Sequence, residues 1–105
     1  MLMKTDEVPH AGKVVLELNV RNHPGVMSHV CGLFTRRAFN VDGIVCMPVS
    51  GTTNSRIWLL VNDDDRLQQM ERQLEKLEDV FSLHHHRGTH AVFDGLKGFF
   101  LHDQS

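Results

Sequence analysis

The chain has 105 residues, 41% apolar and 23% charged, and its 11 basic and 13 acidic side chains give a net charge of −2. At about 100–200 residues per domain this predicts one domain of ordinary soluble composition. The charge balance argues against nucleic-acid binding, which rests on a concentrated basic patch, and no apolar run approaches the roughly 18–20 residues of a membrane span. Two cysteines, Cys31 and Cys46, fit neither a disulfide framework nor a zinc spacing; with no apolar leader over Met1–Lys13, this predicts a cytoplasmic protein.

Residues 1–12 read as a flexible lead-in punctuated by Pro9 and Gly12. From Lys13 the chain alternates, with Val14, Leu16, Leu18 and Val20 apolar and Glu17 and Asn19 polar, the period of a strand with one buried face. Arg21-Asn22-His23-Pro24-Gly25 breaks that pattern. Val26, Val30, Leu33 and Phe34 then recur at helical spacing, which predicts a helix capped by Asn22 or His23 and running to about Phe39. Val41–Val49 is a second strand, with Val41, Val45, Met47 and Val49 on one face and Ile44 and Cys46 on the other. Residues 50–54 make a hairpin loop, and the apolar run Arg56–Val61 predicts a central third strand. Asp63-Asp64-Asp65 opens a second helix, whose apolar stripe is Leu67, Met70, Leu74 and Leu77; Asp79–His86 is a weaker fourth strand.

The order β-α-β-β-α-β is that of a ferredoxin-like α+β fold, a four-stranded antiparallel sheet with two helices on one face. The domain occupies residues 13–86, and residues 87–105 form a C-terminal tail rich in glycine and phenylalanine.

Four features are candidate sites. The turn Asn22–Met27 sets backbone N–H groups at a helix start, where a carboxylate or phosphate binds, and Gly25 admits close approach; the same residues also serve as a plain helix start. The run His84-His85-His86 invites metal, yet on a strand His84 and His86 face one way and His85 the other, without a carboxylate or thiol at ligand spacing inside the run. Exposed side chains on an edge strand are the simpler reading, and no metal site is expected. The cysteines have no nucleophilic constellation around them and are expected to be buried and inert. The tail, with Phe99, Phe100 and Leu101, either folds onto its own core or docks on a partner; the sheet face left open by the two helices favours the partner.

Four strings, Val20–Met27, His29–Phe34, Arg36–Val41 and Ile57–Asp64, make the chain similar to ACT domains and, more closely, to the small subunits of bacterial acetolactate (acetohydroxyacid) synthase of the isozyme I type. The likeness covers about residues 13–86. It implies a subunit without chemistry of its own, which activates a catalytic large subunit and confers feedback inhibition by valine on the first shared step of branched-chain amino-acid synthesis. The resemblance places thiamine diphosphate, Mg²⁺ and FAD in that large subunit and none in this chain. It also implies a homodimer with the effector between two protomers, at Asn22, His23, Pro24, Gly25, Val26, Met27 and Asn40, walled by Ile44 and Cys46. So small an apolar pocket discriminates weakly by size, one methylene being worth about 1–3 kcal/mol, so leucine or isoleucine competes with valine. Three other readings fit less well: a free-standing ACT module sensing an amino acid for another enzyme, an RNA-binding domain, for which the strands carry too few aromatics, and a metal-binding protein.

Overall fold

The computed structural model describes residues 12–87 and Phe93. The elements run β1 (Lys13–Arg21), α1 (Val26–Arg36), β2 (Val41–Pro48), β3 (Asn54–Asn62), α2 (Leu67–Glu75) and β4 (Val80–Arg87). The strands form one antiparallel sheet in the order β2-β3-β1-β4, the ferredoxin-like α+β arrangement expected from the sequence. The two apolar strands, β1 and β3, hold the centre.

The core lies between the sheet and the helices. Val14, Leu16, Leu18 and Val20 of β1 and Ile57, Leu59 and Val61 of β3 face Val26, Val30, Leu33 and Phe34 of α1 and Leu67, Met70 and Leu74 of α2. These are the positions the two periodicities select. On the opposite face Val15 is fully buried, and Phe93 is buried with its ring against Gly43. A Cβ at Gly43 would stand 2.9 Å from Phe93 Cε1, so a side chain at that position collides with the ring. Phe93 therefore packs on the sheet of its own chain. Phe99, Phe100 and Leu101 lie outside the described residues.

Both helices differ from expectation at their ends. Helix α1 stops at Arg36 rather than near Phe39, because the chain turns off in a Schellman motif. Phe39 N–H donates to Phe34 O at 2.9 Å and Ala38 N–H to Thr35 O at 3.0 Å, with Ala38 in the left-handed region at φ 53°. Phe34 and Phe39 supply the apolar contact that accompanies this motif, edge to face at 5.7 Å. Phe39 is thus buried without being helical. Helix α2 begins only at Leu67. Asp63–Asp65 precede it, and Asp64 closes a local turn by accepting the Arg66 N–H at 2.7 Å. Leu77 packs on the core from beyond the helix end.

Strand β2 carries a register shift between Val41 and Gly43. The shift reverses the expected facing of Val41: it pairs with Val61 and packs toward the core, on the same side as Ile44 and Cys46, which pair with Leu59 and Ile57. Val45 and Met47, opposite Trp58 and Arg56, point to the other side.

Candidate functional site

The turn from β1 into α1 is held by its flanks. Arg21 N–H donates to Asp79 O and Asn22 N–H to Thr53 O, both at 2.9 Å, so the turn is pinned to the start of β4 and to the β2–β3 hairpin. Neither Asn22 nor His23 caps the helix, contrary to expectation. The cap position is Gly25 at φ 95°, without a side-chain cap bond. At that angle a residue with a Cβ is strained. The space in front of Gly25 is open, with nothing within 4 Å of an added Cβ.

The first bond of the helix is His29 N–H to Gly25 O at 3.0 Å. Val26 N–H is already engaged by His23 O, at 3.3 Å. The N–H groups of Met27 and Ser28 lie in the first turn, where no intrahelical acceptor exists. Of the first-turn donors, Val26 N–H is thus taken, and those of Met27 and Ser28 are left for a ligand. Val26 itself is buried in the core, and Met27 is packed against it.

Asp79, which sequence reasoning missed, organises the turn electrostatically. Its carboxylate is only 14% exposed and sits 2.7 Å from His23 Nε2, 3.4 Å from Arg21 Nε and 3.6 Å from His29 Nδ1. The other ring nitrogen of His23 faces the Pro24 carbonyl. A ring between two acceptors must donate from both nitrogens, which is the imidazolium. The hydrogen bond to Asp79 accordingly holds the His23 pKa above its ordinary value, and the bond to His23 holds that of Asp79 below its own. Two cationic side chains, Arg21 and His23, and a second imidazole, His29, around one carboxylate leave the turn positive, next to the positive end of α1. That environment suits a carboxylate ligand. His23 and Asp79 are 56 residues apart, and no local pattern signals their pairing.

The remaining expected residues lie on β2 and before it. Asn40 donates to Asp42 Oδ1 at 2.8 Å at the entry to the strand. Ile44 and Cys46 stand exposed on this edge strand, so within one protomer they do not enclose a pocket with Val26. The cysteines depart from expectation in being exposed, Cys31 included. Loss of water around its sulfur still pushes the Cys46 thiol pKa up, which keeps it protonated and unreactive at neutral pH.

The histidine run alternates as expected. His85 lies 2.7 Å from Glu71 on the helix side, and His86 lies 2.8 Å from Glu17 on the other. Among the described residues no group of three or more His, Cys, Asp or Glu side chains is arranged to hold a metal ion, and no helix is long and apolar enough to cross a membrane.

Residues 16–82 match the family model of the AHAS small subunit-like ACT domain. The chain belongs to that family. Over 87 residues it is 58% identical to the acetolactate synthase isozyme 1 small subunit of Escherichia coli K12, covering 83% of this chain and 91% of that protein. It is 40% identical to the acetolactate synthase small subunit of Haemophilus influenzae over 66% of this chain, which spans 43% of that longer relative. The crystal structure of the acetolactate synthase small subunit from Thermotoga maritima superposes with a TM-score of 0.62 at 34% identity, over 69% of this chain and 45% of that one. The regulatory subunit of aspartate kinase from Thermus thermophilus shares the fold, with a TM-score of 0.61 at 20% identity, over 72% of this chain and 51% of that one. In this acetolactate synthase small-subunit ACT domain, the space in front of Gly25 and the β2 edge at Ile44 and Cys46 are both open.

Proposed function

We propose that this chain is the regulatory partner of an acetolactate synthase catalytic subunit, raising its activity and making it sensitive to valine. The chemistry belongs to the catalytic subunit with its thiamine diphosphate, Mg²⁺ and FAD; this chain contributes an effector site and a docking surface. The observation that carries the proposal is the Asn22–Ser28 turn, in a member of the small-subunit family. Open space in front of Gly25, first-turn N–H donors and a positive surround fit an amino-acid carboxylate. The Asn22 and Asn40 side-chain carbonyls are suitable acceptors for its ammonium. Two protomers joined through β2 would bring Ile44 and Cys46 of one toward the turn of the other, completing an apolar wall that a single protomer lacks. Phe99, Phe100 and Leu101 of the C-terminal tail are the proposed contact with the catalytic subunit.

The test is reconstitution with the catalytic subunit and assay of acetolactate formation with and without valine. Activation and valine inhibition support the proposal; unchanged activity of the mixture would exclude it in favour of a free-standing sensor. The site is tested by calorimetric titration with valine. Gly25→Ala controls for backbone strain at φ 95°. Gly25→Asp adds a charge near the ligand carboxylate, and two like charges about 4 Å apart repel by roughly 4 kcal/mol at an effective dielectric near 20. Gly25→Asp should therefore bind valine on the order of a thousandfold more weakly than Gly25→Ala. Equal affinities would place the effector elsewhere.

A further inference from the structure

At the far end of α1 from the effector turn, a cavity of about 250 Å³ opens between the two helices, lined by Arg36, Arg37, Phe39, Arg66, Gln69 and Met70. Three guanidinium groups border one small space on a protein of net charge −2. Arg66 is fixed in place: it donates to Arg37 O at 3.1 Å, contacts both carboxylate oxygens of Asp64, and lies 5.0 Å above the Phe39 ring. Arg36 and Arg37 have no carboxylate partner among the described residues.

Cations near a helix C-terminus are favoured by the dipole, which is the simplest reason for Arg36 and Arg37 to be there. Here, however, the terminal carbonyls of Phe34 and Thr35 are taken by backbone N–H groups of the Schellman turn, and that of Arg37 by Arg66. These three carbonyls are thus satisfied without the side chains of Arg36 or Arg37. Arg66 is also the N-cap of α2; Leu67 N–H is taken by Asp64 O, and those of Gln68 and Gln69, in the first turn, have no intrahelical acceptor.

We propose that this cavity binds the phosphoryl group of a small phosphorylated metabolite. Guanidinium forks match phosphate oxygens in pairs, and two unpaired forks beside a fixed third suit a dianion better than a single carboxylate. The floor of Phe39 and Met70 accepts a short apolar body, and the Gln69 amide can orient a polar substituent. The volume lies below the range of about 300–1,000 Å³ usual for drug-sized ligands, which points to a small one. The site is separate from the valine turn and does not depend on that assignment.

The test is ¹⁵N NMR of the full chain, titrated with inorganic phosphate and with pyrophosphate at constant ionic strength set by chloride. Saturable shifts are expected at the amides of residues 36–39 and 66–69, with pyrophosphate the tighter ligand. Arg36→Gln and Arg37→Gln should each weaken binding by about tenfold or more, the effect of losing a hydrogen bond to a charged group. Arg56→Gln, whose guanidinium pairs with Glu17 on the sheet, should leave it unchanged. Unmoved signals elsewhere in each variant's spectrum verify its fold. Shifts that chloride reproduces, or that both cavity variants retain, would overturn the proposal. So would amides unmoved by phosphate in a chain whose Arg36→Gln and Arg37→Gln variants lose the catalytic subunit, since the arginines would then meet an acidic protein surface.

Discussion

The two edges of the sheet are built differently. Strand β4 ends in His84-His85-His86-Arg87, and its side chains reach inward to acids on their own chain: His85 to Glu71, His86 to Glu17 and Arg87 to Asp63. Strand β2 presents Ile44 at 38% and Met47 at 55% exposure, with Cys46 open beside them. An edge lined with paired charges resists further strand pairing, and an apolar one invites it. The difference favours β2 over β4 as the edge for the proposed pairing with a second copy.

The largest effect should come from charging that edge. If the proposed dimer forms through β2, Ile44→Glu should weaken it strongly while leaving the protomer folded, because Ile44 lies outside the buried core. Each such side chain contributes about 1.5–3 kcal/mol when fully buried and a dimer has two, so association should weaken by about a hundredfold or more. Sedimentation equilibrium reads this directly. Phe81→Gln, an equally exposed apolar position on β4, should change association little; if it dissociates the dimer instead, the comparison of edges fails.

The next effect is internal to β2. Gly43→Ala should cost about 1–3 kcal/mol through collision with the Phe93 ring. The same substitution in a Phe93→Ala background should be nearly neutral, and thermal melts of the four proteins give the coupling. A loss of equal size in both backgrounds would assign the cost to the backbone of the strand.

On the charged side, the pair at the start of β4 should make stability depend on pH. His23 titrates above its ordinary 6.5 when folded, so its contribution is complete below that pH and is lost as pH rises through the raised value. Asp79 titrates below 3.8, so its contribution is present above that pH and is lost on further acidification. The melting advantage of wild type over His23→Gln should therefore be greatest between about pH 4 and 6.5 and should fade by pH 9. A pH-independent difference would show that packing, not charge, accounts for His23. The smallest effect is expected for Glu71→Gln, a surface pair with His85 worth less than about 1 kcal/mol in a melt.

The order of elements, the central place of β3 and nearly all of the core were legible in the sequence, because burial follows periods of 2 and 3.6 that composition displays. The ends of elements were not. Gly25 is a cap through its backbone angle, and the turn after α1 uses Ala38 in a conformation usually left to glycine, so neither carries a side-chain signal. The register shift in β2 inverts Val41 against the simple alternation. Of the site, the turn itself was legible. The Asp79 cluster was not, since it joins residues brought together only by the pairing of β1 with β4.

That last pairing also sets an order of events during synthesis. Strand β1 is made first and needs both neighbours, yet its bond from Glu17 to His86 spans 69 residues of chain. A nascent chain released only as far as β3 can complete one side of β1 and must wait for residues 80–87 to complete the other. Contacts this distant along the chain slow folding. Until β4 arrives, the central apolar strand β1 has an open edge, and the histidine strand that later closes it acts as a late-fitted guard against pairing with the wrong chain.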